Sequence, residues 1–156
     1  MSLRRPIAAA VVAVLMVVAC AVGLGLAWQV HAQDRRLDDN RAEVARAAGP
    51  LVAQLFSVDA ANPTGREQAR AAVTDEFAQQ YADVLNVEPP AGVTIVWKPV
   101  HTGISDVGET HADVVVSAQV TETVPGAQAT DATKVVEVEL ERTGDQWKIA
   151  RADEVL

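Results

Sequence analysis

The sequence has one cysteine and three lysines, and aromatic residues make up only 4% of it. A single cysteine excludes an internal disulfide framework and any metal or redox site built on a Cys-x-x-Cys pair. Lysine is scarce while acidic residues are abundant, so the formal net charge is −8. Because an acidic chain repels phosphate backbones, we expect no nucleic-acid partner.

Charge is also missing from one long segment near the N-terminus. Residues 6–33 contain no Asp, Glu, Lys or Arg. All 21 acidic residues and 11 of the 13 basic residues follow that segment, which leaves residues 34–156 with a net charge of −10. The sequence therefore consists of an apolar N-terminal part and an acidic part about the size of one domain.

Within the uncharged segment, residues 7–30 predict a transmembrane helix. A helix of that length extends about 36 Å, enough to cross the roughly 30 Å hydrocarbon core of a bilayer. Arg4 and Arg5 precede it, and the positive-inside rule places them in the cytoplasm. Trp28 falls where an aromatic residue of the membrane interface belongs. We expect residues 1–6 in the cytoplasm and everything after 30 outside the cell membrane.

Two alternatives to an uncleaved anchor remain open. A cleaved signal peptide is one, although its apolar region is usually about 7–15 residues, shorter than this one. A lipoprotein is the other, because residues 17–19 before Cys20 have the small and aliphatic composition of a lipobox. A mature lipoprotein turns polar soon after its cysteine, whereas this sequence stays apolar to position 30. The anchor is therefore the preferred interpretation.

After the anchor, residues 31–48 predict a charged juxtamembrane helix and residues 49–156 an extracytoplasmic domain. Apolar residues at three- and four-residue spacing indicate an amphipathic helix that continues to Leu55. Gly49-Pro50 predicts a kink or break in it, since proline lacks a donor and clashes with the preceding turn. A second helix is predicted with one apolar face, formed by Ala69, Val73, Phe77, Tyr81 and Leu85.

From residue 93 onward the apolar residues alternate with polar ones, the period of a half-buried β-strand. Four strands are predicted, over 93–104, 111–123, 133–142 and 146–152. Thr143-Gly144-Asp145 forms a tight hairpin connection between the last two. The fold class is α+β, with two or three helices packed on a curved four-stranded antiparallel sheet.

Five residues are candidates for acid–base chemistry: Asp59, Tyr81, His101, His111 and Asp113. Each also has a structural interpretation that we prefer. Tyr81 packs its ring from a core-facing helix position with its hydroxyl at an edge, Asp59 caps a helix or forms a turn, and the histidines lie at the surface near strand ends. The sequence has no motif of a hydrolase, metalloprotease or phosphate-binding loop. We therefore expect no enzyme activity, no cofactor and no metal site.

Several short motifs resemble those of the Mce-associated membrane proteins of actinobacteria. They include the anchor with its charged helix running into Ala47-Ala48, the segment 55–59 with Ser57 and Asp59, and Phe77-Ala-Gln-Gln-Tyr81. The terminal segment 144–149, with Gly144 and Trp147, also fits. Ala and Val make up 54 of the 156 residues and Arg outnumbers Lys ten to three, a bias typical of a high-GC genome.

The resemblance implies an NTF2-like cone outside the membrane and a non-catalytic role beside an Mce-type lipid or sterol importer, whose components would be the partners. Two other functions remain open at this stage. The cone pocket could bind a small apolar ligand, or the domain could be an assembly subunit of a secretion system. An NTF2-like enzyme is the least favoured interpretation.

Overall fold

The computed structural model describes residues 35–62, 64–86 and 90–155. The compact unit described below is Asp39–Leu156. The predicted span 7–30, with Arg4, Arg5 and Trp28, lies outside the described residues. Within the described ranges, no helix combines the length and the apolar character needed to cross a membrane.

Four helices and five strands are described. Helix α1 covers the helical residues 35–56. The other helices are α2 (Gly65–Ala71), α3 (Asp75–Gln80) and α4 (Ala82–Leu85). The strands are β1 (Val58–Asp59), β2 (Thr94–Val107), β3 (His111–Thr123), β4 (Thr130–Thr143) and β5 (Gln146–Glu154).

The strands form one antiparallel sheet in the order β1-β2-β3-β4-β5. The α+β class and the four long strands are confirmed. The predicted strand number is wrong, because the short β1 pairs with the start of β2 and makes a fifth strand. Two residues are too few to show a period-two pattern, so β1 could not be recognised from sequence alternation.

Bulges bend β2 and change which of its residues face the core. The register with β3 shifts between Pro99 and His101 and again between Ile104 and Asp106. Each bulge inserts one extra residue, so the alternation of sides restarts after it. As a result Trp97 and Pro99 share a face with Thr102 and Ile104, and the long strand curves around the helix packed on it.

The core lies between α1 and the inner face of this sheet. Helix α1 contributes a stripe at helical spacing, namely Val44, Ala48, Val52 and Leu55. The sheet contributes every second residue of β3 and β4 together with the start of β5, namely Ala112, Val114, Val116, Ala118, Val120, Val136, Val138, Leu140, Trp147 and Ile149. This is the one-faced burial that the sequence alternation predicts.

Helix α1 continues through Gly49-Pro50, so a break at this pair is wrong, whereas a kink there stays a prediction. A proline inside a helix costs about 3 kcal/mol in lost hydrogen bonding and steric clash. Buried side chains on both sides of the pair, Val44 and Val52 among them, hold the two halves on the same sheet. Pro50 is exposed and directs its ring away from the core, so tertiary packing outweighs the local penalty.

The predicted second helix is also wrong as a single element, because it divides into α2, α3 and α4. The interruption at residues 72–74 places this segment against the outer edge of β5. The amide of Ile149 donates to the carbonyl of Ala72, and the amide of Thr74 donates to the carbonyl of Ile149, both at 2.9 Å. Thr74 then caps α3, its hydroxyl accepting from the amide of Phe77 at 3.3 Å.

A polar cluster fixes the N-terminal half of α1. The buried side chain of Asn40 donates to the carbonyl of Gly108 at 2.8 Å and accepts from Arg142 at 2.8 Å. Arg142 also pairs with Glu43 at 3.2 Å, and the indole of Trp147 donates to Glu43 at 3.4 Å. Asn40 and Trp147 are buried with their polar atoms bonded, whereas the side chains of Glu43 and Arg142 keep partial contact with solvent.

We predict that Gly49→Leu destabilises the protein by about 1–3 kcal/mol, the usual cost of overpacking. A Cβ at Gly49 would stand 3.2 Å from the Cβ of Pro99, so a leucine forces α1 away from β2. Urea unfolding of the full chain in a mild detergent measures the change. Ala45→Leu, on the exposed side of the same helix, is the matched control and should stay within about 0.5 kcal/mol of the parent. Equal stability of the two variants would contradict the close approach of α1 to β2.

A candidate apolar binding pocket

An apolar pocket of about 620 Å³ opens where α1 ends. Its size lies within the roughly 300–1,000 Å³ of small-molecule sites. Its wall combines the end of α1, strands β1 and β2, and the short helices α3 and α4. The lining is mostly aliphatic and aromatic, and consists of Leu55, Phe56, Val58, Phe77, Tyr81, Val84, Leu85, Pro90, Val93, Ile95 and Ala152 with the charged Arg66 and Asp83.

The turn that follows α1 builds one wall of the pocket. The hydroxyl of Ser57 accepts a hydrogen bond from the amide of Trp97 at 3.0 Å, which ties the chain to β2 directly after the helix. Val58 then pairs with Ile95 across the β1–β2 ladder, and both side chains line the pocket. Phe56 stacks on Trp97 with 4.8 Å between the ring centroids. The wall is therefore held by backbone pairing and by aromatic packing.

Helices α3 and α4 form the opposite wall. The rings of Phe77 and Tyr81 are tilted against each other with centroids 4.6 Å apart. Phe77 is buried, whereas Tyr81 is 40% exposed and Val84 is 66% exposed. The prediction that the ring of Tyr81 packs on a neighbour is confirmed. Its predicted core-facing position on one continuous helix is wrong, because α3 ends at Gln80, and the partly exposed side chain lies at the edge of the pocket.

Asp59 and the histidines are not among the residues that line the pocket. The carboxylate of Asp59 accepts from the amide of Ala61 at 2.8 Å, which confirms the predicted turn-forming role. His101 is exposed on β2. His111 begins β3 on the outer side of the sheet, 3.3 Å from Asp113 and 3.5 Å from Glu139. The structure thus brings His111 and Asp113 together on the outer face and leaves the other three candidates apart from them. Of the five, Tyr81 alone is among the described residues that line the pocket.

The outer face of the sheet is strongly acidic. Glu137 and Glu141 are exposed and Glu139 is half-buried, and the three occupy alternate positions of β4. A shallow depression of about 290 Å³ on this face is bordered by Glu137, Glu139 and Asp113 and also by Arg151 and Asp153. Arg151 and Asp153 pair with each other at 2.7 Å. No cluster able to hold a metal ion is found among the described residues.

The residues on which the family resemblance rests occupy separate places in the fold. Ser57, Asp59 and Phe77 hold the chain around the pocket, and Gly144 and Trp147 belong to the β4–β5 hairpin at the polar cluster. Gly144 has a positive φ of 63°, which its two-residue turn requires. Trp147 is buried and lies under the guanidinium of Arg142 at 5.7 Å.

Two residues of the pocket gave no signal in the sequence. Arg66 is an isolated basic residue in a short helix, and nothing in its neighbourhood indicates a cavity. Val84 lies within the predicted second helix, where nothing distinguishes it from the other apolar residues, yet it is 66% exposed at the edge of the pocket. Only the division of that helix into three places both residues there.

The fold is that of NTF2-like domains. A periplasmic fragment of TraM matches with a TM-score of 0.57 and 10% identity, over 73% of this chain and 96% of the fragment. An IcmL-like type IV secretion system protein from Legionella pneumophila gives 0.55 and 10%, over 74% and 94%. An NTF2-like protein involved in plasmid conjugation gives 0.52 and 14%, over 74% and 49%. No protein-family model and no curated protein matches the chain.

We predict that Val84→Asp weakens binding of a neutral fluorescent probe, N-phenyl-naphthylamine, about tenfold. The carboxylate removes apolar contact area at the edge of the pocket and puts a charge beside an apolar ligand. Fluorescence titration of the full chain in phosphatidylcholine nanodiscs, with empty discs subtracted, measures the affinity. Val100→Asp is the matched control, since Val100 is 56% exposed on β2 away from the pocket lining. A parallel loss in both variants would contradict probe binding in this pocket.

Proposed function

We propose that the protein is a single-pass, membrane-anchored accessory protein without catalytic activity. Its NTF2-like domain works on the outer side of the cell membrane by binding other molecules. The pocket is the observation that carries this proposal. Its walls are aliphatic and aromatic, whereas Asp59 is engaged in a turn and His111 and Asp113 face the other side of the sheet. An acid–base enzyme needs such groups to converge on one reacting atom.

Sequence features support the anchor. The uncharged residues 7–30 are long enough to span a bilayer, and Arg4 and Arg5 favour a cytoplasmic N-terminus. The acidic character of the part after residue 33 suits an extracytoplasmic domain that stays soluble beside a membrane. In this proposal helix α1 leads from the anchor into the domain.

The finer proposal is that the protein associates with, or stabilises, an Mce-type lipid or sterol import system. The resemblance of its motifs to those of Mce-associated membrane proteins of actinobacteria supports it. Residues of these motifs have structural roles in the domain; the hydroxyl of Ser57, for example, accepts a hydrogen bond from the amide of Trp97. Assembly in a secretion system is the alternative. It draws support from the fold shared with a type IV secretion protein and with a conjugation protein.

A second candidate function is binding of a small apolar ligand in the pocket. The observation that favours it is the exposed apolar edge, where Val84 and Tyr81 leave much of their side chains in contact with solvent. Apolar side chains around a cavity of this size gain free energy when a ligand covers them. The two functions are compatible, since a subunit of a lipid importer could itself bind lipid.

We predict that the N-terminus and the domain lie on opposite sides of the membrane. In a Cys20→Ala background, a membrane-impermeant maleimide should label Gln128→Cys, in the exposed β3–β4 loop, on intact cells. Ser2→Cys should be labelled only after lysis. Labelling of Ser2→Cys on intact cells would contradict the orientation. Incorporation of palmitate at Cys20 of the natural sequence would instead support the lipoprotein alternative.

We predict that a tagged full chain, purified from its native membrane, brings Mce components with it, and that its deletion lowers their steady-state amount. Quantitative mass spectrometry of the purified complex and of the membrane fraction measures both. The reference is a tagged variant that keeps 1–48 but lacks the domain, which should recover background levels only. Recovery of secretion components in place of Mce components would favour the alternative, and an unchanged amount of Mce proteins after deletion would count against association.

A further inference from the structure

Arg66 borders the pocket with a charge that no described residue neutralises. It lies in α2, is half-buried, and lines the same cavity as Phe56, Phe77 and Leu85. Among residues 35–62, 64–86 and 90–155, no carboxylate forms an ion pair with it, and no hydrogen bond engages its side chain. A guanidinium at the border of an apolar cavity is a strong donor of paired hydrogen bonds to a carboxylate.

Three other arginines of the domain have partners among the described residues. Arg142 pairs with Glu43, and Arg151 pairs with Asp153. Arg70, one turn further along the same helix α2, donates to the side chain of Asn86. Because burial of an unpaired charge costs free energy, the position of Arg66 is best satisfied by an anionic group that the ligand supplies.

From this arrangement we propose that the pocket binds a long-chain carboxylate, with its headgroup on Arg66 and its alkyl chain along Phe56, Phe77 and Leu85. The proposal rests on the second candidate function, that of an apolar-ligand site, and adds the chemistry of the headgroup. A cavity of about 620 Å³ accommodates one molecule of drug-like size. That size favours a ligand with a single alkyl chain.

The opposite preference, for a cationic amphiphile, would have to use Asp83. Asp83 also borders the pocket, but it is exposed, so water already solvates its carboxylate. The domain as a whole is acidic and repels anions at long range. That repulsion is screened over about 8 Å at physiological salt, so the nearby guanidinium dominates at the site. The half-buried guanidinium of Arg66 therefore favours a headgroup with a negative charge.

The test compares three ligands that share one alkyl chain length and differ in their headgroup: laurate, dodecanol and dodecyltrimethylammonium. Each displaces N-phenyl-naphthylamine from the full chain in phosphatidylcholine nanodiscs, with empty discs as the blank for partition into lipid. We expect laurate to bind about tenfold more tightly than dodecanol, because its carboxylate forms a charge-assisted hydrogen-bonded pair with Arg66 and the hydroxyl of dodecanol does not. The ammonium ligand should bind more weakly than dodecanol.

Four variants test whether Arg66 is responsible for the preference for laurate over dodecanol. Arg66→Gln should remove the advantage of laurate over dodecanol, and continued displacement of the probe by dodecanol would show that the pocket is intact. Arg66→Lys should keep part of the advantage. Arg70→Gln, on the same helix but outside the pocket lining, and Asp83→Asn should both keep all of it.

The outcomes separate the two levels of the proposal. If dodecanol displaces the probe and laurate has no advantage, or if Arg66→Gln leaves the advantage intact, the headgroup assignment is overturned while the apolar site stands. A preference for the ammonium ligand that Asp83→Asn abolishes also overturns the assignment. If none of the three ligands displaces the probe, the apolar-ligand function itself fails.

Discussion

The domain depends on the burial of one helical stripe, that of α1, against the inner face of a bent sheet. Small side chains make the approach close: Ala48 is fully buried, and at Gly49 a Cβ would stand 3.2 Å from that of Pro99. The bulges of β2 turn the sheet around the helix, so the same strand contributes to the core on both sides of each bulge. The other helices then pack where α1 leaves the sheet uncovered.

The two ends of α1 differ in chemistry. At its N-terminal half Asn40 and Glu43 join Arg142 and Trp147 in a hydrogen-bonded polar cluster, which fixes the helix in register with the β2–β3 and β4–β5 connections. At its C-terminal end the helix stops at residue 56, and the inner face beyond it is bordered by the short helices α3 and α4. The pocket is the space that remains there, which explains its apolar lining.

Much of the fold could be predicted from the sequence, and the failures have physical causes. Alternation identified the four long strands because each buries one face. The break predicted at Gly49-Pro50 was wrong, because the cost of an internal proline is a local effect, whereas the packing that holds the helix together comes from distant residues. The second helix was predicted as continuous because its apolar spacing continues through residues 72–74, where hydrogen bonds to Ile149 replace those of a helix. The pocket was foreseen only as a property of the family fold, and Arg66 was not foreseen at all.

The sequence by itself determined the separation into an uncharged segment and an acidic part, the α+β class and the four long strands. These features depend on the order and spacing of residues along the chain, so a local sequence pattern is enough to predict them. Only the tertiary structure decided that Tyr81 reaches the edge of a pocket, that β1 joins the sheet, and that Arg66 and Phe77 border one cavity. Contacts of this kind depend on how helices and strands distant in the sequence pack against each other, and a local sequence pattern does not predict that packing.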